Sequence, residues 1–176
     1  GCVGDIGTHA YQLASFVTGL HPTQLCAELS TLVPGRALDD NVQMLLRYAN
    51  GARGMLWASQ VAPGNENALR LRVYGSKAGL EWQQEHPNQL RFSPFGEAPR
   101  TLSRGTSSAG SAAARVTRLP SGHPEGYFEG FATVYAEIAQ AIHAAREGRP
   151  VPDEVDFPTI EDGVHGVAFI QAAVRS

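Results

Sequence analysis

The segment from Val42 to Val61 constrains the fold more than any other. Val42, Met44, Leu46 and Tyr48 alternate with Gln43, Leu45 and Arg47, the period-two signature of a half-buried strand. Asn50-Gly51 follows, the strongest short hairpin signal there is. Beyond it Met55, Trp57, Ser59 and Val61 fall on one face of a second strand over residues 53–61. Two adjacent strands joined this tightly are antiparallel, so the chain is built around an antiparallel sheet.

Other segments extend that sheet. Residues 23–33 are rich in strand formers, and Leu69, Leu71 and Val73 alternate with Arg70, Arg72 and Tyr74. Short strands are expected over residues 80–83 and 89–92, making a sheet of five to seven strands. Residues 96–122 are rich in Pro, Gly, Ser and Ala and lack periodicity, and residues 105–114 border on low complexity. This stretch is expected to be a long, partly mobile excursion.

Helical spacing brackets the strands. Ile6, Ala10, Leu13, Ala14 and Val17 mark a helix over residues 5–18 that Gly19 ends. Phe128, Phe131, Tyr135, Ile138 and Ile142 recur every three or four residues, giving a helix over residues 127–146 stopped by Gly148 and Pro150. That aromatic stripe reads as core. A last helix starts at the capping-box-like Thr159-Ile160-Glu161-Asp162 and continues through Val164, Val167, Ala168 and Val174. The block of strands followed by helices, with a helix in front, specifies an α+β fold, an open antiparallel sheet with helices on one face. Its second face, carrying Met55 or Leu56 and Trp57, must be hidden by another domain or a second copy, and self-association is expected.

Composition narrows the function classes. At 176 residues, 43% apolar and 18% charged, the chain is an ordinary globular one with enough length for one buried core. No apolar run approaches the roughly 18 residues of a membrane span. A net charge of −3 with interspersed signs supplies no basic footprint for nucleic acid. Cys2 and Cys26 lack any CxxC spacing and read as reduced, which points to the cytoplasm. The chain opens Gly-Cys-Val inside a glycine-rich loop feeding a helix, which leads us to expect a further domain upstream.

Asp5 and His9 are the candidate catalytic pair. Four residues apart on a helix, they stack a carboxylate and an imidazole on one face near the N-terminus. Such an imidazole can take the proton of an alcohol while the carboxylate orients it or binds a hydroxyl. The alternative is that Asp5 caps the helix and His9 packs. His123 and Glu125, with Tyr127, sit in a loop feeding a helix N-terminus, a usual address for ligand contacts; Glu125 also reads as a helix cap. Asn67 lies in a polar turn, Gly64-Asn65-Glu66-Asn67, that reads either as turn chemistry or as a hydroxyl-binding tip. Asp39-Asp40 reads as a solvated turn. Gly1, Gly4 and Gly7 do not form GxGxxG and no lysine follows, so no phosphate loop is read there. No metal site is read either, because His9, His123 and Glu125 lack paired-ligand spacing.

Gly4-Asp5-Ile6-Gly7-Thr8-His9 and the helix to Gly19 resemble the DxGxH segment of the Gfo/Idh/MocA oxidoreductases. LRLRVYGSKAGLEW from Leu69 resembles that family's strand-turn-strand, GHPEGYFEGFATVY from Gly122 its late loop and helix, and Pro158 to Ser176 its terminal helix. The resemblance implies that residues 1–176 form one substrate-binding and oligomerisation domain, dihydrodipicolinate-reductase-like in fold, of a two-domain enzyme. The Rossmann domain that binds NAD or NADP, and its EKP-like lysine, are absent from the chain. It further implies oxidation of a secondary hydroxyl of a sugar, polyol or inositol, with Asp5 and His9 catalytic and a homo-dimer or tetramer formed through the sheet. The domain alone is expected to be inactive. The alternative within the same fold is a non-catalytic dimerisation or sugar-sensing module.

Overall fold

A hairpin of β2 (Asn41–Tyr48) and β3 (Arg53–Ser59) forms where the alternation places it, with Met44 opposite Leu56 and Val42 opposite Ala58. Its loop is Ala49-Asn50-Gly51: Tyr48 N–H donates to Ala52 O, and Gly51 takes the left-handed φ of 89° that a three-residue loop requires. The computed structural model describes residues 1–176, which divide into two compact units, residues 1–71 with 159–176 and residues 72–158.

In the first unit, β1 (Pro22–Ser30) pairs antiparallel with β2 to give a three-stranded sheet in the order β1-β2-β3. β1 stops at Ser30, short of the expected Val33, because the Leu32 and Val33 N–H groups turn to donate to the Asp40 carboxylate. Val42, Met44, Leu46, Leu56 and Ala58 on one face form a core with Cys2, Val3, Tyr11, Phe169 and Ala173. Those last residues belong to the N-terminal helical segment and to the terminal helix, so helices cover one face of this sheet, as the α+β pattern required. On the other face Cys26, Leu45 and Met55 lie in register across the three strands, with Trp57 beside them. All are exposed, Met55 at 82%.

The N-terminal helical segment departs from a plain α-helix. Residues Val3–Gly7 form a π-turn, in which Thr8 N–H reaches back to Val3 O, before α1 (Thr8–Thr18) ends at Gly19 with φ 66°. The buried line is Val3, Gly7, Tyr11 and Ser15. Of the expected stripe, Ile6 and Ala10 pack half-buried against this core, and Val17 is exposed. Gly7 and Ser15 are small enough for the helix to approach the sheet, and closeness of approach decided which face went inside. The terminal helix, here α4 (Ile160–Arg175), begins with the expected capping box: Thr159 N–H donates to Asp162 Oδ2 at 2.7 Å and Thr159 Oγ1 at 2.9 Å. It buries Gly166, Phe169 and Ala173 and leaves Val164, Val167 and Val174 exposed. A Cβ at Gly166 would lie 3.0 Å from Gln12 Nε2, so this glycine is where α1 and α4 meet.

A four-stranded sheet follows, β4 (Arg70–Tyr74), β5 (Ala78–Gln83), β6 (Gln89–Pro94) and β7 (Arg100–Ser103), in sequence order, and all of it from Arg72 onward belongs to the second unit. The seven strands thus fall into two open sheets where a single sheet was expected. Residues 96–122, expected as a long, partly mobile excursion, contain β7 and a short helix, α2 (Gly110–Val116). The long helix, α3 (Tyr127–Arg146), ends before Gly148 at φ 66°. Its buried residues are Glu137 and Ala144. The aromatic stripe expected as core is on the outside, with Phe128 82% exposed. Glu137 tolerates burial because Arg115 Nη1 donates to its Oε1 at 2.7 Å and Asp156 N–H to its Oε2 at 2.9 Å.

Candidate functional site

Asp5 lies inside the π-turn and His9 on the first turn of α1, both exposed. Interruptions of this kind within helices are frequent at functional sites. No hydrogen bond joins the two side chains. Asp5 instead accepts from Gln60 Nε2 at 2.8 Å through Oδ2. The imidazole of His9 faces solvent, so the packing alternative read from sequence does not describe it. Asp5 does not cap either: the N-terminal end of the segment is held by Asp39, whose backbone oxygen accepts from Cys2 N–H at 2.8 Å and whose Oδ2 accepts from Val3 N–H at 2.9 Å.

Asp39-Asp40, read as a solvated turn, is the opposite. Asp40 is 0% exposed. Its carboxylate accepts from Leu32 N–H at 2.8 Å, Val33 N–H at 3.0 Å and Arg36 Nη1 at 3.3 Å. The Leu32 N–H, then the Val33 N–H and the Arg36 guanidinium, outweigh burial and hold this carboxyl below its ordinary value. Burial opposes ionisation of Asp39 as well, but the Val3 N–H and the Cys2 thiol prevail and keep that carboxyl low. The reciprocal effect falls on Cys2. Burial first, and Asp39 second, push its thiol up to about 12. Its Sγ donates to Ala58 O at 3.6 Å.

Asn67 also belongs to the first unit. It is exposed in the turn before β4, next to Ala68, a non-glycine residue at φ 55°.

In the second unit His123 and Tyr127 are exposed. Glu125 is buried, and its carboxylate is spent on the protein. Oε1 accepts from Arg118 N–H at 2.6 Å and from Leu119 N–H, and lies 3.0 Å from Arg104 Nη1. It does not cap α3. Glu129 does, accepting from Gly126 N–H at 2.8 Å. Asn88 completes the clasp, donating to Glu125 O at 2.8 Å and accepting from Glu125 N–H at 3.0 Å. Arg104 donates further to Asn88 Oδ1, Leu119 O and His123 O. The loop carrying His123 is therefore rigidly held, and a pocket of about 330 Å³ beside it is lined by Asn88, Arg104, Ser121 and His123. Nothing in the sequence singled out Arg104, Asn88 or Gln60, and Asp39-Asp40 reads there as a solvated turn. Arg104, Asn88, Asp39 and Gln60 act on residues distant in sequence, and Asp40 on a loop that folds back on it, none of which periodicity registers.

No group of three or more His, Cys, Asp or Glu side chains is arranged to hold a metal ion. No helix is long and apolar enough to cross a membrane. The pairs β1–β2, β2–β3, β5–β6 and β6–β7 are all antiparallel, so the βαβ cradle of a dinucleotide is not formed by them.

Residues 1–81 match the family model of the GFO/IDH/MocA C-terminal domain. The uncharacterized oxidoreductase YfiI of Bacillus subtilis (strain 168) is 34% identical over 177 residues, covering 99% of this chain and 45% of that protein. The crystal structure of an oxidoreductase from Sinorhizobium meliloti is 54% identical with a TM-score of 0.95, covering 99% of this chain and 50% of the other. An inositol dehydrogenase homolog from Azotobacter vinelandii, complexed with NADH and myo-inositol, is 35% identical with a TM-score of 0.95, over 99% of this chain and 47% of the other. The chain spans about half the length of these relatives.

Proposed function

We propose that this chain, which belongs to the GFO/IDH/MocA family as a C-terminal domain, is the substrate-binding and oligomerisation half of an NAD(P)-dependent dehydrogenase acting on a sugar, polyol or inositol. The observation that carries the reading is the exposed Asp5 and His9 pair, one turn apart on a helical segment whose position is fixed by buried groups. A relative of the same fold holds NADH and myo-inositol together.

The residues present offer no dinucleotide cradle, so cofactor binding is assigned to a further, nucleotide-binding domain. A bound nicotinamide would supply the hydride acceptor. The work of this chain is then protic and positional. His9 takes the proton of the reacting hydroxyl, and Asp5 orients that hydroxyl or a neighbouring one through a charge-assisted hydrogen bond. His123, Tyr127 and Asn67 are proposed as further substrate contacts. The Glu125 carboxylate is engaged by Arg118, Leu119 and Arg104, so its part in substrate binding is to hold the loop that presents His123. The exposed face with Leu45, Met55 and Trp57 is proposed to be covered by a second copy of the chain, in a dimer or tetramer.

A His9→Ala change in the complete enzyme tests the reading. Losing a general base should cut kcat by about 10²–10⁴-fold while leaving the circular dichroism spectrum unchanged. Turnover near the parental rate would overturn it. Absence of polyol turnover in the parent itself, with polyol-dependent shifts of the His9 ring signals, would instead establish the sugar-sensing alternative.

A further inference from the structure

Gln60 follows β3 directly and extends its pairing with β2 by one bond, and its side chain is committed as well. Its N–H donates to Asp40 O at 2.8 Å, and the Asp40 N–H donates to Ser30 O at 3.0 Å. The Asp40 carboxylate is itself buried and held by three donors. Gln60 is therefore tied through its backbone to a residue whose own side chain is buried and hydrogen-bonded. From there its side chain crosses a sequence separation of 55 residues, and Nε2 donates to Asp5 Oδ2 at 2.8 Å. The neighbouring residue Asp39 anchors the other side of the same π-turn through Cys2 N–H and Val3 N–H. One dipeptide, Asp39-Asp40, thus references both the backbone that carries Asp5 and the amide that grips it.

We propose that Gln60 is a positioning residue for Asp5. An exposed aspartate samples several orientations about its terminal torsion, which is broad and roughly two-fold. A donor fixed to the sheet selects one orientation, occupying Oδ2 and leaving Oδ1 to meet a substrate hydroxyl. An ionised carboxylate only accepts hydrogen bonds, so the Gln60 amide must present its nitrogen, and a neutral amide does this without adding a competing charge. Small misplacements of a reacting group are costly, because the productive geometry is narrow. This inference rests on the catalytic reading of Asp5 given above.

The test uses Gln60→Met, which preserves length and bulk but cannot donate, alone and combined with Asp5→Asn, in the complete enzyme. Gln60→Met is expected to lower kcat about 10-fold, and the same change in the Asp5→Asn background is expected to lower it less than twofold, because its effect passes through Asp5. In the 176-residue chain the Gln60 side-chain amide signals should move on Asp5→Ala. Parental kcat in Gln60→Met, or an equal loss in both backgrounds, would overturn the role of Gln60 while leaving that of Asp5 intact. Parental kcat in Asp5→Asn would overturn the catalytic reading and the role of Gln60 in turnover together. Unmoved Gln60 amide signals would overturn the contact itself.

Discussion

Replacing Phe169 by Ala asks whether α4 holds the His9-bearing helix against the sheet. Phe169 is 5% exposed, and its ring stacks on Tyr11 of α1 with centroids 4.2 Å apart and planes 11° apart. A buried phenylalanine removes about 150–250 Å² from water, and at about 25 cal/mol per Å² most of that contribution, about 3 kcal/mol, belongs to the ring. The stack adds about 0.5–1.5 kcal/mol, and the cavity left by incomplete collapse adds its own cost. The expected loss is about 3–5 kcal/mol, in the range of aromatic truncations in cores and a large part of the about 5–15 kcal/mol that holds a domain folded. Urea titration followed by far-ultraviolet circular dichroism should show it. With a slope of about 2 kcal/mol per M, the midpoint falls by about 2 M. Phe169→Leu keeps most of the volume and should cost about 1 kcal/mol, which retains a measurable transition if the alanine variant is unfolded. A Phe169→Ala midpoint within about 0.3 M of the parent, at unchanged slope, would refute the packing described for α1 and α4.

Stability should also decline on the acid side. Asp39, Asp40, Glu137 and Asp162 all have carboxyl values lowered by folding, so their contribution is complete above the unfolded carboxyl value of about 4 and is lost as pH falls through the lower folded values. Asp40→Asn should destabilise the chain at pH 7 and flatten this acid limb; an unchanged limb would sink the role given to Asp40. Thiol labelling of the folded chain at pH 8 should modify exposed Cys26 and spare Cys2, whose thiol stays protonated. Because Cys26 shares the open sheet face with Leu45 and Met55, its labelling should slow as concentration rises and copies associate. Labelling independent of concentration would argue against association through that face.

The strands and the ends of helices were legible in the sequence because each is written in neighbouring residues: the alternation from Val42 to Tyr48, the Asn50-Gly51 loop, the stop at Gly19, the box at Thr159 and Asp162. Which helical face turned inward was not. Gly7, Ser15, Gly166 and Ala173 are poor markers of hydrophobicity, yet they let the helices approach the sheet and one another, and bulkier Val17, Val164 and Phe128 were left outside. Local reading also fails for buried ions. Nothing around Asp40 or Glu137 reveals that partners will be met, since Asp40 is satisfied by a loop that folds back and Glu137 by Arg115, 22 residues away. The proposed site divides along the same line. Asp5 and His9 are proposed from their spacing, whereas Gln60, which donates to Asp5 from 55 residues away, left no mark.

The π-turn carries a consequence for how the pair can vary. The phase of Asp5 around the helix axis is set by Asp39 and Gln60 on one side, and that of His9 by the Tyr11–Phe169 stack on the other. Between them lies the wide turn closed by the Thr8 bond to Val3. Removing one residue there would restore regular α geometry with the two anchors left in nearly their present phase, because the wide turn absorbs its extra residue without passing the rotation on. What a deletion between Asp5 and His9 would change is their separation, from four positions to three, so the pair depends on the count of residues in the turn as well as on the two side chains.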